Sequence, residues 1–287
     1  MPEGDTIFRT AARLHRALGG KCVTRFETRY AHLARVDEDT PIAGRSVERV
    51  ESRGKHCLFV FSGDLVLRTH LRMRGSWHLY RPGERWLRPR DAMRVRIDVH
   101  DLVAIGFDVP DAELVSTRSL ERGSPVAALG PDLLGETFDA REALRRLRAR
   151  DALAIADALL DQRAVAGIGN VFKSEVLFVC GVAPEARVAA LDDATLLRLL
   201  DCARRLLRAN VAIGGDGGIV TWRGLRRTTG RSDPNERLYV YGRAGRPCRR
   251  CGGAIATFRQ GPDARLTYAC ARCQPALPIP AAPSASP

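Results

Sequence analysis

The chain has 287 residues, 45% of them hydrophobic, which suits a globular protein of two domains. No stretch approaches the roughly 20 apolar residues of a membrane span, and the N-terminus lacks an apolar signal core, so we expect a cytoplasmic protein without membrane spans. The net charge is +13, and only three of the 46 basic residues are lysines. Twelve arginines against three acids lie between residues 222 and 273, which predicts a polyanionic partner, above all nucleic acid. A genome rich in G and C also favours arginine and covers part of this bias.

The chain begins Met1-Pro2-Glu3-Gly4. Initiator methionine is readily removed before a small residue, and its removal would give Pro2 a free secondary amine beside Glu3. An α-amino group titrates near about pH 8, so a useful fraction is nucleophilic at neutral pH. Attack on a sugar aldehyde carbon would give an iminium, as in Schiff-base enzymes. Many proteins begin Met-Pro for no chemical reason, so the tetrapeptide alone leaves both interpretations open.

The pattern of apolar residues then predicts a helix over 5–18, with Asp5 as its N-cap. The positive end of this helix would lie beside the Pro2 amine and disfavour its protonated form. From about 20 to 110, short alternating segments predict an antiparallel sandwich or barrel, with a hairpin at 62–64. Residues 120–136 are rich in glycine and proline and are predicted to form a linker.

Helical periodicity returns in the second half and predicts helices over 138–149, 152–162, 170–180 and 193–210. A glycine-bearing turn precedes the third helix, and its backbone N–H groups, with the Asn170 side chain, are predicted to bind a phosphate. The tail from Pro275 is of low complexity and is predicted to be disordered.

Four cysteines near the C-terminus form the most specific local pattern, Cys248-x2-Cys251-x18-Cys270-x2-Cys273. Two CxxC pairs at this separation are typical of a four-thiolate zinc site, whereas disulfides are atypical of a cytoplasmic chain. Four thiolates complete the tetrahedron, so one structural Zn²⁺ is predicted.

The segment between the two cysteine pairs is predicted to fold as a hairpin of residues 254–258 and 266–268, with Arg265 near its tip. The hairpin either holds this arginine toward a nucleic-acid groove or merely packs against its neighbour. The other four cysteines lie in apolar segments and are predicted to be buried: Cys22, Cys57, Cys180 and Cys202.

Four features occur in order along the chain: Pro2-Glu3-Gly4, Gly54-Lys55-His56, the glycine turn ending in Asn170, and the zinc finger with Arg265. Together they resemble the formamidopyrimidine-DNA glycosylase / endonuclease VIII family of bacterial base-excision repair. The similarity extends from residue 2 to Gln274, and the segments MPEGDT and HLRMRGSW are most similar to the actinobacterial endonuclease VIII-like branch.

This resemblance implies an α+β protein with DNA in the cleft between two domains. The first is an antiparallel β-sandwich with an N-terminal helix, and the second is a helix–two-turns–helix domain with a four-cysteine zinc-finger hairpin. The implied boundaries are 1–120 for the catalytic sandwich, 121–136 for the linker, 137–235 for the helical domain, 236–274 for the finger and 275–287 for the disordered tail.

The resemblance also implies catalytic roles for four residues. Pro2 is the nucleophile that attacks C1′ of a damaged nucleotide, and Glu3 is the general acid/base. Lys55 binds the phosphate next to the lesion and stabilises charge. Glu175 lies near the proline and orients its amine.

Three further residues are implied to contact DNA. Asn170 and Arg265 hold backbone phosphates around the extruded nucleotide, and Met73 fills the space that the base leaves. A methionine in an alternating segment is otherwise usually a core residue, but the flanking Arg72 and Arg74 favour an exposed tip.

The sequence departs from the family pattern at two places. Thr6 stands where most relatives have an acid, and the Arg-Arg-Phe stretch of purine-specific relatives is missing around 106–110. The second departure favours oxidised pyrimidines, abasic sites or single-stranded substrates over oxidised guanine, and leaves the contacts to the opposite strand unassigned.

The leading hypothesis is a monomeric, nucleoid-associated DNA glycosylase and abasic-site lyase. It would cleave damaged DNA, duplex or single-stranded, by β,δ-elimination without a redox cofactor or catalytic metal. The alternatives are a zinc-dependent DNA-binding protein without catalysis, a glycosylase that prefers oxidised purines, and a lyase confined to abasic sites.

Overall fold

The computed structural model describes residues 2–212 and 226–276. Met1 and the tail from residue 277, most of the segment predicted to be disordered, lie outside the described residues.

Eight strands build the N-terminal half: β1 (Arg25–Thr28), β2 (Val47–Arg53), β3 (His56–Phe61), β4 (Leu65–His70), β5 (Ser76–Tyr80), β6 (Met93–Asp98), β7 (Val103–Phe107) and β8 (Asp111–Val115). They form two antiparallel sheets, ordered β1-β6-β7-β5 and β2-β3-β4-β8. The apolar faces of the two sheets meet in one core, where the rings of Phe59 and Trp77 lie 4.7 Å apart. The predicted sandwich is confirmed, as is the hairpin at 62–64, which joins β3 to β4.

Two helices accompany this sandwich. Helix α1 (Gly4–Leu18) buries Ile7, Leu14 and Leu18, as the periodicity predicted. The prediction of Asp5 as N-cap is wrong, because the helix begins one residue earlier and Glu3 occupies that position. Helix α2 (Ala31–Asp39) was not predicted, since its sequence is polar and buries little beyond Leu33.

The second half of the chain is helical, with α3 (Thr117–Gly123), α4 (Ala140–Arg148), α5 (Ile155–Leu160), α6 (Asn170–Cys180) and α7 (Asp193–Val211). Helices α4 to α7 correspond to the four predicted from periodicity and share a separate apolar core. Helix α3 occupies the start of the segment that was predicted to be a linker.

The finger hairpin consists of β9 (Ala256–Gln260) and β10 (Arg265–Ala269), paired antiparallel with Arg265 opposite Gln260 next to the turn. Helix α6 packs against β10, and α1 packs against α7 as well as β2. The sandwich, the helical domain and the finger therefore meet around the N-terminus of α6. Within residues 2–212 and 226–276, no helix combines the length and apolar character needed to cross a membrane.

Candidate active site

The Glu3 carboxylate lies on the N-terminus of α6. It is fully buried and accepts hydrogen bonds from the backbone N–H groups of Gly169 (3.0 Å), Val171 (2.9 Å) and Phe172 (3.3 Å). The first N–H groups of a helix have no partner within the helix, and the helix dipole favours an anion there. The glycine turn was predicted to bind a phosphate through its backbone N–H groups; of these, the N–H of Gly169 binds Glu3 instead.

Glycines allow this close approach of the two segments. A Cβ at position 169 would lie 2.4 Å from Glu3 Cδ, and one at position 4 would lie 2.9 Å from Gly167 Cα. The Gly4 N–H donates to the Gly167 carbonyl oxygen at 2.9 Å. Pro2, half-buried and directly before Glu3, is thereby held beside the N-terminus of α6.

Arg226 joins two buried carboxylates of the N-terminal segment. Its Nε and Nη2 atoms donate to the two carboxylate oxygens of Asp5 at 2.9 and 2.7 Å, and Nη1 lies 3.7 Å from Glu3 Oε1. Burial opposes its charge, but Glu3 and Asp5 more than offset this and raise the pKa of Arg226. The sequence analysis counted Arg226 only as one of twelve arginines in a basic stretch.

Lys55 lies in the turn between β2 and β3, where Gly54 has a φ of +57°. Burial lowers the pKa of Lys55 to about 8; the charge of Glu3 opposes this shift, while Arg265 and Arg226 add to it. The charges of Glu3, Arg265 and Arg226 therefore all act on the Lys55 ammonium.

Asp132, which the sequence analysis missed, holds this turn from the segment between the domains. Its Oδ2 accepts from the Gly54 N–H at 2.7 Å and its Oδ1 from the Leu134 N–H at 3.0 Å. Burial raises the pKa of this carboxyl group, against those two hydrogen bonds. The backbone of Asp132 also pairs with Ala166, so the Lys55 turn and the glycine turn share one support.

The finger is attached to α6 next to Glu3. Asn170 Nδ2 donates to the Leu266 carbonyl oxygen at 2.7 Å, and Lys173 Nζ donates to Thr267 Oγ1 at 2.7 Å. Burial lowers the pKa of Lys173 to about 8, with Asp157 opposing and Arg265 adding to the effect. Arg265 contacts Asp263 at 3.1 Å and remains partly exposed. Both predicted phosphate contacts, Asn170 and Arg265, thus lie at this junction.

The four finger cysteines form a compact sulfur cluster. Their Sγ atoms all lie within 4.8 Å of one another, with 3.8 Å between Cys248 and Cys273 and 3.4 Å between Cys251 and Cys270. A tetrahedral site with Zn–S bonds of about 2.3 Å has sulfurs about 3.8 Å apart, so these residues fit one structural zinc. Of the other cysteines, Cys57 and Cys202 are buried as predicted, whereas Cys22 is exposed and Cys180 is half-buried.

Three family models match the chain in order. They are the Formamidopyrimidine-DNA glycosylase N-terminal domain over residues 1–119, the Formamidopyrimidine-DNA glycosylase H2TH domain over 129–221, and the zinc finger found in FPG and IleRS over 245–276. The chain belongs to the formamidopyrimidine-DNA glycosylase / endonuclease VIII family.

Individual relatives of this family align over nearly the whole chain. "Probable endonuclease 8 2" of Streptomyces coelicolor is 43% identical over 96% of this chain and 94% of its own length. DNA-(apurinic or apyrimidinic site) lyase Nei2 of Mycolicibacterium smegmatis is 42% identical over 96% of this chain and 100% of its own length. The solved complex between Lactococcus lactis Fpg and DNA containing an abasic site has a TM-score of 0.81 at 24% identity, over 96% of this chain and 100% of that one, and it establishes the shared fold.

One residue implied by the family resemblance has other partners in this structure. Glu175 is fully buried, and its carboxylate accepts from the Thr228 hydroxyl and, at 2.8 Å each, from the N–H groups of Tyr239, Val240 and Tyr241. Burial raises its pKa, against these bonds. The expectation that Glu175 orients the proline amine is therefore corrected: both of its oxygens hold the segment that leads into the finger.

The family resemblance singled out two turns of the sandwich, the one that carries Met73 and the connection between β7 and β8. Met73 lies in the turn between β4 and β5 with 62% of its surface exposed, which agrees with an exposed tip rather than a core position. The connection between β7 and β8 is only residues 108–110, so this turn has no room for a longer inserted stretch.

Proposed function

We propose that this protein is a bifunctional DNA glycosylase and abasic-site lyase of base-excision repair. The observation that carries the proposal is the burial of Glu3 on the α6 amides directly after Pro2, with Lys55 and Arg265 nearby. Removal of Met1 would place a secondary amine beside a carboxylate and two cations, as covalent catalysis on a deoxyribose requires. The name of the M. smegmatis relative, an abasic-site lyase, supports the same reaction.

The reaction begins when the unprotonated Pro2 nitrogen attacks C1′ of the damaged nucleotide. The bond from C1′ to the base breaks, and the base leaves as an anion that takes a proton from water. Glu3 takes the proton that the attached Pro2 nitrogen releases and gives it to the sugar ring oxygen. The C1′–O4′ bond then breaks, the nitrogen lone pair forms the iminium with C1′, and Glu3 carries later protons. Loss of a C2′ proton then expels the 3′ phosphate, and a second elimination expels the 5′ phosphate.

DNA contacts come from the junction and from the sandwich. Lys55, Asn170 and Arg265 hold phosphates around the extruded nucleotide. Met73 enters the space that the base leaves. The zinc-bound cysteines keep the finger hairpin folded so that Arg265 stays near Lys55.

Oxidised pyrimidines are the favoured substrates in this proposal. The short 108–110 turn supports this preference, and so do the endonuclease 8 names of the relatives. The protein acts as a monomer on damaged DNA in the bacterial cytoplasm.

Borohydride trapping tests the proposal. Purified protein is incubated with three duplexes that carry 5-hydroxyuracil, 8-oxoguanine or an abasic site, and sodium borohydride reduces any iminium to a stable adduct. The expected result is an adduct with the abasic and 5-hydroxyuracil duplexes that is lost when an N-terminal extension turns the Pro2 nitrogen into a peptide nitrogen. An adduct that persists in the extended protein would assign the nucleophile to another amine, and activity on the abasic duplex alone would reject the glycosylase step.

Mass spectrometry of the same preparation measures whether Met1 is present. Retention of Met1 in active protein would overturn the role of Pro2.

A further inference from the structure

The guanidinium of Arg226 is shared between Asp5 and Glu3. Asp5 takes the edge formed by Nε and Nη2, at 2.9 and 2.7 Å, and Thr6 Oγ1 accepts a further bond from Nη2 at 3.0 Å. The guanidinium carbon lies over the Phe172 ring, 5.3 Å from its centroid. With that edge and that face occupied, the direction of Nη1 is fixed, and it lies 3.7 Å from Glu3 Oε1.

The two oxygens of Glu3 are not equivalent. Oε2 accepts from the backbone N–H groups of Gly169 and Phe172, whereas Oε1 accepts from that of Val171. A carboxylate oxygen has two acceptor positions, so Oε1, with one amide bond, keeps one, whereas both positions of Oε2 are occupied. The oxygen next to Arg226 is thus the one with room to exchange a proton.

We propose that Arg226 is a positioning residue for Glu3: Asp5 orients its guanidinium, and Nη1 keeps negative charge on Oε1, the oxygen that carries protons in the reaction. The inference rests on the proposed function, because it takes Glu3 as the proton carrier. It assigns a role to Arg226, which the sequence analysis counted only within a basic stretch, and a new role to Asp5, which was predicted only as a helix N-cap.

Other charged or titratable groups also face Glu3, and each comes from a different element. Lys55 belongs to the β2–β3 turn, Lys173 to α6 and Tyr241 to the segment before the finger. Among the described residues only Arg226 forms an ion pair with Glu3 within 4.0 Å. Because charge interactions weaken with distance, Arg226 is the described cation that acts most strongly on the Glu3 carboxylate.

Arg96 provides a matched control in the sandwich. Its Nε and Nη2 bind the two oxygens of Asp98 at 2.8 and 2.7 Å, its Nη1 lies 3.8 Å from Glu27, and it lies 6.0 Å from the centroid of the Trp86 ring. Arg96 thus makes the same kinds of contact as Arg226: a carboxylate on one edge of the guanidinium, a second carboxylate near Nη1 and an aromatic ring. It lies in β6, away from the N-terminus of α6.

The experiment measures single-turnover base release from a 5-hydroxyuracil duplex between pH 5 and 9. Arg226→Gln should slow release by at least about tenfold and move the lower-pH limb of the profile to higher pH, since Glu3 loses the positive charge that favours its ionised form. Arg226→Lys should keep the lower-pH limb at the pH found for the unsubstituted protein but restore only part of the rate. Lysine keeps the positive charge but lacks the planar set of N–H donors of the guanidinium. Asp5→Asn removes the partner that directs Nη1 at Glu3, so it should move the limb in the same direction as Arg226→Gln, by less. Arg96→Gln and Arg96→Lys should leave limb and rate unchanged.

An unmoved limb in Arg226→Gln and Asp5→Asn, with a Pro2-dependent borohydride adduct still formed, would overturn the inference and leave the proposed function standing. Absence of that adduct in the unsubstituted protein would overturn both. If Arg226→Gln does not fold, Asp5→Asn decides, since a purely structural arginine gives no shift of the limb in that variant.

Discussion

Helix α6 carries two buried glutamate contacts, one at its N-terminus and one in its middle, and they use the same chemistry for different purposes. Glu3 and Glu175 each accept three backbone N–H groups. Glu3 also has Arg226 and Lys55 beside it, whereas Glu175 has the Thr228 hydroxyl and no ion pair within 4.0 Å among the described residues. A buried carboxylate is therefore not by itself a mark of catalysis; the neighbouring cations and the adjacent Pro2 make the difference.

Glutamine at each position should separate the two roles most clearly. Glu3→Gln and Glu175→Gln both turn an N–H₂ group toward amide donors, so each should cost about 1–3 kcal/mol of folding free energy. Only Glu3→Gln should also slow base release per folded molecule, by about 10²–10⁴-fold. Thermal unfolding and single-turnover kinetics measure the two effects. Equal kinetic losses in both variants would contradict the distinction.

Removal of zinc tests the finger side of α6. Structural zinc contributes about 10–16 kcal/mol to the folding of small zinc domains, so chelation should unfold the hairpin and release Leu266 and Thr267 from α6. The affinity for an abasic duplex should fall by roughly tenfold to a hundredfold, since hydrogen bonds to charged groups contribute about 1.5–3 kcal/mol. Fluorescence anisotropy measures the affinity, and unfolding of the sandwich is the control. Unchanged affinity after complete loss of zinc would make the finger peripheral.

The pH dependence of binding tests the cations on the Glu3 side. The pKa of Lys55 is lowered to about 8, so its ammonium is mostly charged at pH 7 and mostly neutral at pH 9. Affinity for an abasic duplex should therefore fall as pH rises through 8, by up to about tenfold per unit. Lys55→Arg should flatten this fall, because a guanidinium stays charged, and any residual dependence belongs to Lys173.

Lys21→Arg is the matched control for Lys55→Arg, since Lys21 pairs with Asp101 at the surface. It should leave the fall with pH unchanged. The same steep fall in Lys55→Arg and in the unsubstituted protein would remove Lys55 from the phosphate contact.

The smallest effect concerns the support of the Lys55 turn. Asp132 and Asp139 each accept two backbone N–H groups, but Asp139 caps α4 at the surface. Asp139→Ala should cost about 1 kcal/mol and leave kinetics unchanged. Asp132→Ala should cost about 1–3 kcal/mol and, by loosening the turn, also slow base release a few-fold. Identical kinetics in the two variants would show that the Asp132 contact supports folding alone.

Sequence patterns predicted the features whose residues lie close together along the chain. The cysteine spacing identified the metal cluster, and periodicity placed α6 at Asn170–Cys180, because both signals lie within a few turns of chain. The contacts that build the site are not local: the bond between Glu3 and Gly169 joins residues 166 positions apart. Composition could not separate Arg226 from the surface arginines around it.

The rarity of lysine in this chain is a sequence signal that could have pointed to the active site. In a chain with three lysines among 46 basic residues, burial lowers the pKa of two, Lys55 and Lys173, to about 8, and the charge of Glu3 acts on both. A guanidinium could not lose its proton at these positions, so lysine retained in an arginine-rich chain points to them.

The contact between Gly4 and Gly167 has a mechanical consequence. Pulling the two halves of the molecule apart would break the Gly4 N–H bond and lift a carboxylate from three amides at once. The contact therefore resists separation of the two halves at the site itself.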